Sequence, residues 1–193
     1  MDDTNLPARA REVLDFWFGP QPHVAREAWF RKDDAFDAQI RERFGGDVAA
    51  ALAGAYGAWC ATPRGSLARV ILLDQFTRNI HRGTPRAFAG DAAALATAQD
   101  AVARGFDRSL GGYERWFLYL PFEHSEDAAM QERSLELFGA LSRETGDPGA
   151  LEWAEKHAAV IRRFGRYPHR NAILGRESTP EEIAYLAQPG AGF

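Results

Sequence analysis

The chain has 193 residues, a length that suits one domain, or at most two small ones, and that can bury a sizeable core. A formal net charge of −4 and a pI near 5.8 argue against a nucleic-acid or anionic-membrane partner. The single cysteine excludes a disulfide framework and a cysteine metal site.

In chain order the pattern predicts helices over 7–18, 25–30, 35–44, 47–59, 66–80, 91–104, 113–120, 126–145, 148–164 and 180–188. Alanine, leucine, arginine and glutamate dominate these stretches, and β-branched residues are sparse. Gly19-Pro20, Thr62-Pro63, Thr84-Pro85 and Gly146-Asp147-Pro148 punctuate them. Thr179 reads as an N-cap, with Pro180 at the first helical position and Glu182 completing a capping box. Pro121 is expected to end the helix before it, and Ser125 to cap the next. Short links favour antiparallel neighbours, so the expected fold is all-α, one domain over residues 1–193 built of stacked antiparallel helix pairs. Cys60 follows Trp59 among small residues with no neighbouring charge in sequence, and reads as a buried, inert thiol. The polar, acidic start lacks a secretory pattern and no apolar run reaches spanning length, so a cytoplasmic protein without a membrane partner is expected.

Three segments mix ionisable and amide groups with large apolar residues, a costly combination unless the polar groups pair or act. On the first, Leu72, Leu73, Phe76 and Ile80 form one apolar face, and Leu67, Val70 and Ile71 a second. That second face turns polar at Asp74, Arg78 and His81, widened by Gln75, Asn79 and Arg82. Asp74 and Arg78 are one helical turn apart and can pair; the alternatives are a buried ion pair tying helices together or a pocket wall with Arg78 facing an anion. The second segment sets Glu123 and His124 against Phe122, followed by Ser125, Glu126 and Asp127. Acids in a first helical turn explain Glu126 and Asp127, whereas a carboxylate beside an imidazole is the pairing used in acid–base work and metal binding. In the third, His157 sits in the middle of the apolar side of its helix and needs an internal polar partner, with the Asp74 strip and Glu123 as candidates. The loop after Phe164 then brings Arg166, His169, Arg170 and Asn171.

No glycine-rich phosphate loop, His-Glu-x-x-His, Cys-x-x-Cys or nucleophile elbow is present. A mononuclear metal at His124, His157 and Asp74 is chemically conceivable, but no spacing demands it, and no metal or cofactor is assigned. Two functions follow. One is a small-molecule site, enzymatic or not, with Asp74, His124 and His157 as catalytic candidates and Gln75, Arg78, Asn79, Glu123, Glu126, Arg166, His169 and Asn171 as ligand-binding ones. The other is a helical-repeat scaffold that binds a peptide along a groove; beside both stands a purely structural reading, in which the motifs hold the fold together through buried polar networks. The oligomeric state is not encoded in any visible pattern.

Taken together, Val13 to Gly19, Leu73 to Gly83, Phe122 to Asp127, Arg163 to Asn171 and Gly175 to Glu182 resemble the bacterial family called domain of unknown function 924. The resemblance spans essentially the whole chain through ordered motifs. It implies an all-helical, tetratricopeptide-like fold and carries no established activity. Its motif residues fall here on Asp74, Gln75, Arg78, Asn79, His124, Ser125, Glu126, Arg166, Pro168, His169 and Asn171, with Thr77 where the family pattern typically has proline.

Overall fold

A computed structural model describes residues 5–192, and every regular element among them is helical. The chain forms α1 (Ala8–Phe18), α2 (Asp34–Leu52), α3 (Pro63–Val70), α4 (Thr77–Ile80), α5 (Asp91–Ala103), α6 (Gly112–His124), α7 (Ala128–Thr145), α8 (Gly149–Phe164), α9 (Asn171–Leu174) and α10 (Pro180–Leu186). A π-helical stretch, Ile71–Phe76, joins α3 to α4 without a break. The helices divide between two compact units. The first runs up to Arg82 and resumes over Arg86–Pro121; the second takes Gly83–Pro85 and the chain from Phe122 onward.

In the first unit, α3 packs against α1 and α5, and the π stretch against α2. Its centre is aromatic. Trp17 meets Phe76 and Phe117 at ring-centroid distances of 5.6 and 5.3 Å, and Phe76 meets Phe44 at 5.0 Å. The π stretch is buried throughout and bulges its backbone outward: a Cβ on Gly90 would lie 2.0 Å from the Leu73 carbonyl oxygen, so only glycine fits where α5 begins. Thr77 directs both its N–H and its hydroxyl at the Leu72 carbonyl, the hydroxyl at 2.9 Å, which closes the wide turn. In the second unit α7 and α8 pair as a helical hairpin, and Val160, Ile161 and Tyr167 form a core flanked by Phe164 and Tyr185.

Several boundaries differ from the sequence reading. The expected helix over 25–30 is a single 3-10 turn, Glu27–Trp29. Helices expected over 35–44 and 47–59 merge as far as Leu52, because Gly45 and Gly46 keep helical geometry between the buried Phe44 and Val48. Pro121 does not end α6 but lies inside it. Asp127, not Ser125, caps α7, accepting from the N–H groups of Ala129 and Met130 at 2.7 and 3.2 Å. The capping box of Thr179 and Glu182 forms as expected. Cys60 is half-buried and has a charged neighbour after all, since Arg69 reaches its Sγ at 3.6 Å from the helix that follows.

Candidate functional site

The polar strip of the first unit resolves into two networks. Asp74 is fully buried; Oδ1 accepts from Arg78 at 2.9 Å and Oδ2 from the Gln75 amide at 2.6 Å. Arg78 also forks onto Asp91, in the first turn of α5, at 2.8 and 3.1 Å. One guanidinium is thus held between two carboxylates, a geometry in which Arg is preferred to Lys. Asn79 donates to Asp37 of α2 at 2.6 Å, and Arg82 grips the same carboxylate at 2.9 and 3.1 Å. Asp74, Gln75 and Arg78 thus share one network and Asn79 belongs to the other; Arg78 ties α4 to α5, and Asn79 ties it to α2.

A different kind of cluster stands in the second unit. The last turn of α6 supplies Glu123 and His124, the buried face of α8 supplies His157, and the turn Pro168–Arg170 supplies His169 and Arg170. His157, His169, Arg170 and the Glu123 carbonyl meet Tyr167, which has no exposed surface. The His157 ring meets Tyr167 edge-on at 5.6 Å and His124 at 6.3 Å. His169 lies 5.5 Å from Tyr167, and the Arg170 guanidinium sits 4.5 Å above the same ring. The carboxylate partner that His157 required is Glu123: Nδ1 lies 3.2 Å from its Oε1 and 2.9 Å from the Trp153 carbonyl. Both neighbours are acceptors, so Nδ1 carries the proton and the neutral ring keeps its lone pair on Nε2.

The electrostatics favour that neutral form. Burial, against the Trp153 carbonyl and helped by His124, His169 and Arg170, pushes the His157 pKa down to about 3. Burial and Arg170 push His169 down to about 4, with Glu126 opposing. Both imidazoles are bases held unprotonated in a setting that an added negative charge would relieve.

Tyr167 and Gln131 hold the end of α6. A helix ends with carbonyls that lack intrahelical partners. Here the Gln131 amide donates to the carbonyls of Glu123 and Ser125 at 2.8 and 2.6 Å, and the Tyr167 hydroxyl donates to that of Glu123. Glu126 accepts from the Tyr167 N–H at 2.8 Å and from both Arg176 terminal nitrogens at 2.7 and 3.0 Å. Burial opposes ionisation of Glu126, yet the Arg176 fork and the Tyr167 N–H outweigh it and hold the carboxyl below its usual range. Arg166 and Asn171 belong to a neighbouring structural knot. Arg166 grips Glu182 at 2.7 and 2.8 Å, Asn171 reaches the same carboxylate at 3.2 Å, and the Arg166 fork draws Glu182 down to about 2.

The structure thus sorts the sequence candidates. His124, His157, His169 and Glu123 share one cluster, with Glu126 at its edge; Arg166 and Asn171 stabilise the loop beside it. Tyr167, Gln131 and Arg176 were missed as members. Tyr167 and Arg176 stood within family-like stretches, but their partners Glu123 and Glu126 lie 44 and 50 residues away; Gln131 reaches back to the end of the preceding helix, a contact no local pattern marks. Sequence reasoning also passed over Glu114 of the first unit, buried beside Arg64 at 3.3 Å and His23 at 3.6 Å. Glu114 accepts from the Gly111 N–H at 3.0 Å, as a residue three positions into a helix does. Among the described residues no group of three His, Cys, Asp or Glu side chains is arranged to hold a metal ion, and no helix is long and apolar enough to cross a membrane.

Comparison with known proteins agrees with the fold and is silent on chemistry. A solved structure of a protein of unknown function from Agrobacterium tumefaciens is 40% identical, superposes with a TM-score of 0.86, and matches over 97% of this chain and 100% of that one. No curated protein was found to match the chain. A family model described as bacterial protein of unknown function (DUF924) matches residues 13–190. The chain accordingly belongs to the DUF924 family of bacterial proteins of unknown function.

Proposed function

We propose that the cluster of Glu123, His124, His157, His169 and Arg170 binds a small polar molecule through an anionic group and exchanges a proton with it. The carrying observation is that His157, His169 and the Arg170 guanidinium meet the buried Tyr167, with His124 against His157. Glu123 and the Trp153 carbonyl fix the His157 tautomer, which makes Nε2 the basic atom. Arg170, and His169 once protonated, supply positive charge for the anion. The lone cysteine supports a cytoplasmic setting for this activity.

When an anion that raises the histidine pKa values binds, the protein takes up protons, so affinity rises as pH falls through the window between about 6.5 and 4. Sulfate, whose charge is constant over that range, is a suitable probe. Calorimetry in buffers of different ionisation enthalpy should show proton uptake on binding, and His169→Ala should reduce it. Sulfate binding without proton uptake, or no saturable binding at any pH in the window, refutes the reading.

A second reading, a tetratricopeptide-like protein-interaction scaffold, is favoured by an aromatic surface on the first unit. Val24 and Phe30 are 64% and 54% exposed, and Phe30 adjoins Trp116 at 5.7 Å, which stacks on Tyr113 at 6.2 Å. Exposed aromatic clusters suit partner binding. Phe30→Ser should abolish capture of a peptide selected on the intact protein; a selection that yields no peptide sensitive to that change excludes this role.

A further inference from the structure

We propose that residues 187–192, the segment after α10, are a strap that folds back over His169 and regulates entry to the histidine cluster. This rests on that cluster being the ligand site. Ala187 closes α10. The chain then turns through Gln188, Pro189, Gly190 and Ala191, with the Ala191 N–H donating to the Gln188 carbonyl at 3.2 Å. Proline at the second position and glycine with φ +79° at the third are the residues a type II turn demands. The reversal returns the chain toward the turn Pro168–Arg170, against which α10 already packs.

Gly192 arrives directly on the histidine. A Cβ built on it would lie 3.2 Å from His169 Cβ and 3.7 Å from its Cγ, and its φ of +101° is one that L side chains rarely adopt. Two glycines are therefore needed for different reasons, Gly190 for the reversal and Gly192 for the approach. Ala191, Gly192 and His169 are all half-buried. The strap's turn bond is internal to it, and none of its described residues is buried: residues 187–190 are exposed and Ala191 and Gly192 half-buried, so its end can lift with the turn intact. Elements with so little buried surface occupy the low end of the local-stability range and are the usual source of lids. Burial is the largest influence depressing His169, and Gly192 lies against that side chain.

The test reads access to His169 directly. The whole protein is treated with diethyl pyrocarbonate, and ethoxyformylation of each histidine is followed by peptide mass spectrometry. It is compared with a variant ending after Gln188 and with Gly190→Val, which disfavours the turn without shortening the chain. His169 should react faster by roughly an order of magnitude in both variants, while His81 of the first unit keeps its rate. An unchanged His169 rate in either variant overturns the strap, and so does a rise that His81 shares, which reports general loosening. Because the reagent needs no ligand, failure of sulfate binding leaves this result standing, and failure here leaves the sulfate result standing.

Discussion

Asp74→Asn separates the two meanings first open for the polar strip. The substitution keeps the shape and removes one of the two negative charges that hold Arg78. Removing one partner of a fully buried ion pair costs about 3–5 kcal/mol, because the other charge is left uncompensated. Arg78 is not so stranded. It keeps its fork onto Asp91, and its side chain is 20% exposed. Gln75 can also turn its amide to accept from the NH₂ group that the substitution introduces. The expected loss is therefore smaller, about 2–3 kcal/mol, which corresponds to a melting temperature lower by about 4–12 °C for a chain of this size. Urea unfolding supplies the free energy, and a double-mutant cycle with Asp91→Asn supplies the coupling. Since the two carboxylates share one guanidinium, Asp74→Asn should cost more when Asp91 has already been neutralised. A loss below about 0.5 kcal/mol with additive behaviour would refute the view that this network holds the π stretch against α5.

Gly90→Ala should destabilise by about 3 kcal/mol or more, since its Cβ would meet the Leu73 carbonyl and both backbones must move; Gly46→Ala, in open space within α2, should stabilise by about 0.5–1 kcal/mol. A raised urea midpoint for Gly90→Ala would refute the first argument, and a lowered one for Gly46→Ala the second. Gln131→Leu should cost about 2 kcal/mol by leaving the Glu123 and Ser125 carbonyls short of a donor, with loss of amide-exchange protection concentrated at the end of α6; uniform loss across the second unit would count against a local cap. Acid stability gives a further check. Glu182 titrates near 4.5 unfolded and near 2 folded, so its contribution is complete above about 4.5 and is lost as pH falls through about 2. Glu182→Gln should lower stability at neutral pH and flatten the decline across that window, and an unaltered slope in acid unfolding curves would show that the Arg166 fork is not the cause.

Local rules recover the helices whose signals are local. Thr179, Pro180 and Glu182 announce α10, and the apolar side of 148–164 announces α8, with His157 correctly placed in its buried face. The failures lie where distant groups decide. Pro121 removes a helical donor, and a local rule ends the helix there; α6 continues because Gln131 and Tyr167, 8 and 44 residues from Glu123, donate to the carbonyl at its end. Gly45 and Gly46 each weaken a helix by up to about 1 kcal/mol, but Phe44 and Val48 on either side are buried, and that burial outweighs the propensity. Asp74 and Arg78 were legible as a pair because i,i+4 spacing survives the π stretch. Asp91, which decides what the pair does, approaches from another helix.

The same distinction bears on what the second unit's cluster is for. Gln131 and Tyr167 are explained by α6, because a helix end requires donors and they supply them. Glu123 and His157 are not explained that way: their side chains meet each other, while the helix end uses only the Glu123 backbone. A buried carboxylate beside a buried imidazole that stays neutral gains little from the pairing. Apolar residues of similar size in such places are often neutral or stabilising by about 1–4 kcal/mol. Arg170, stacked on Tyr167, brings a buried guanidinium to the same few ångströms. Helix capping does not require these three groups. Their convergence with the half-buried His124 and His169 sets this cluster apart from the Asp74–Arg78–Asp91 network, which ties α4 to the first turn of α5.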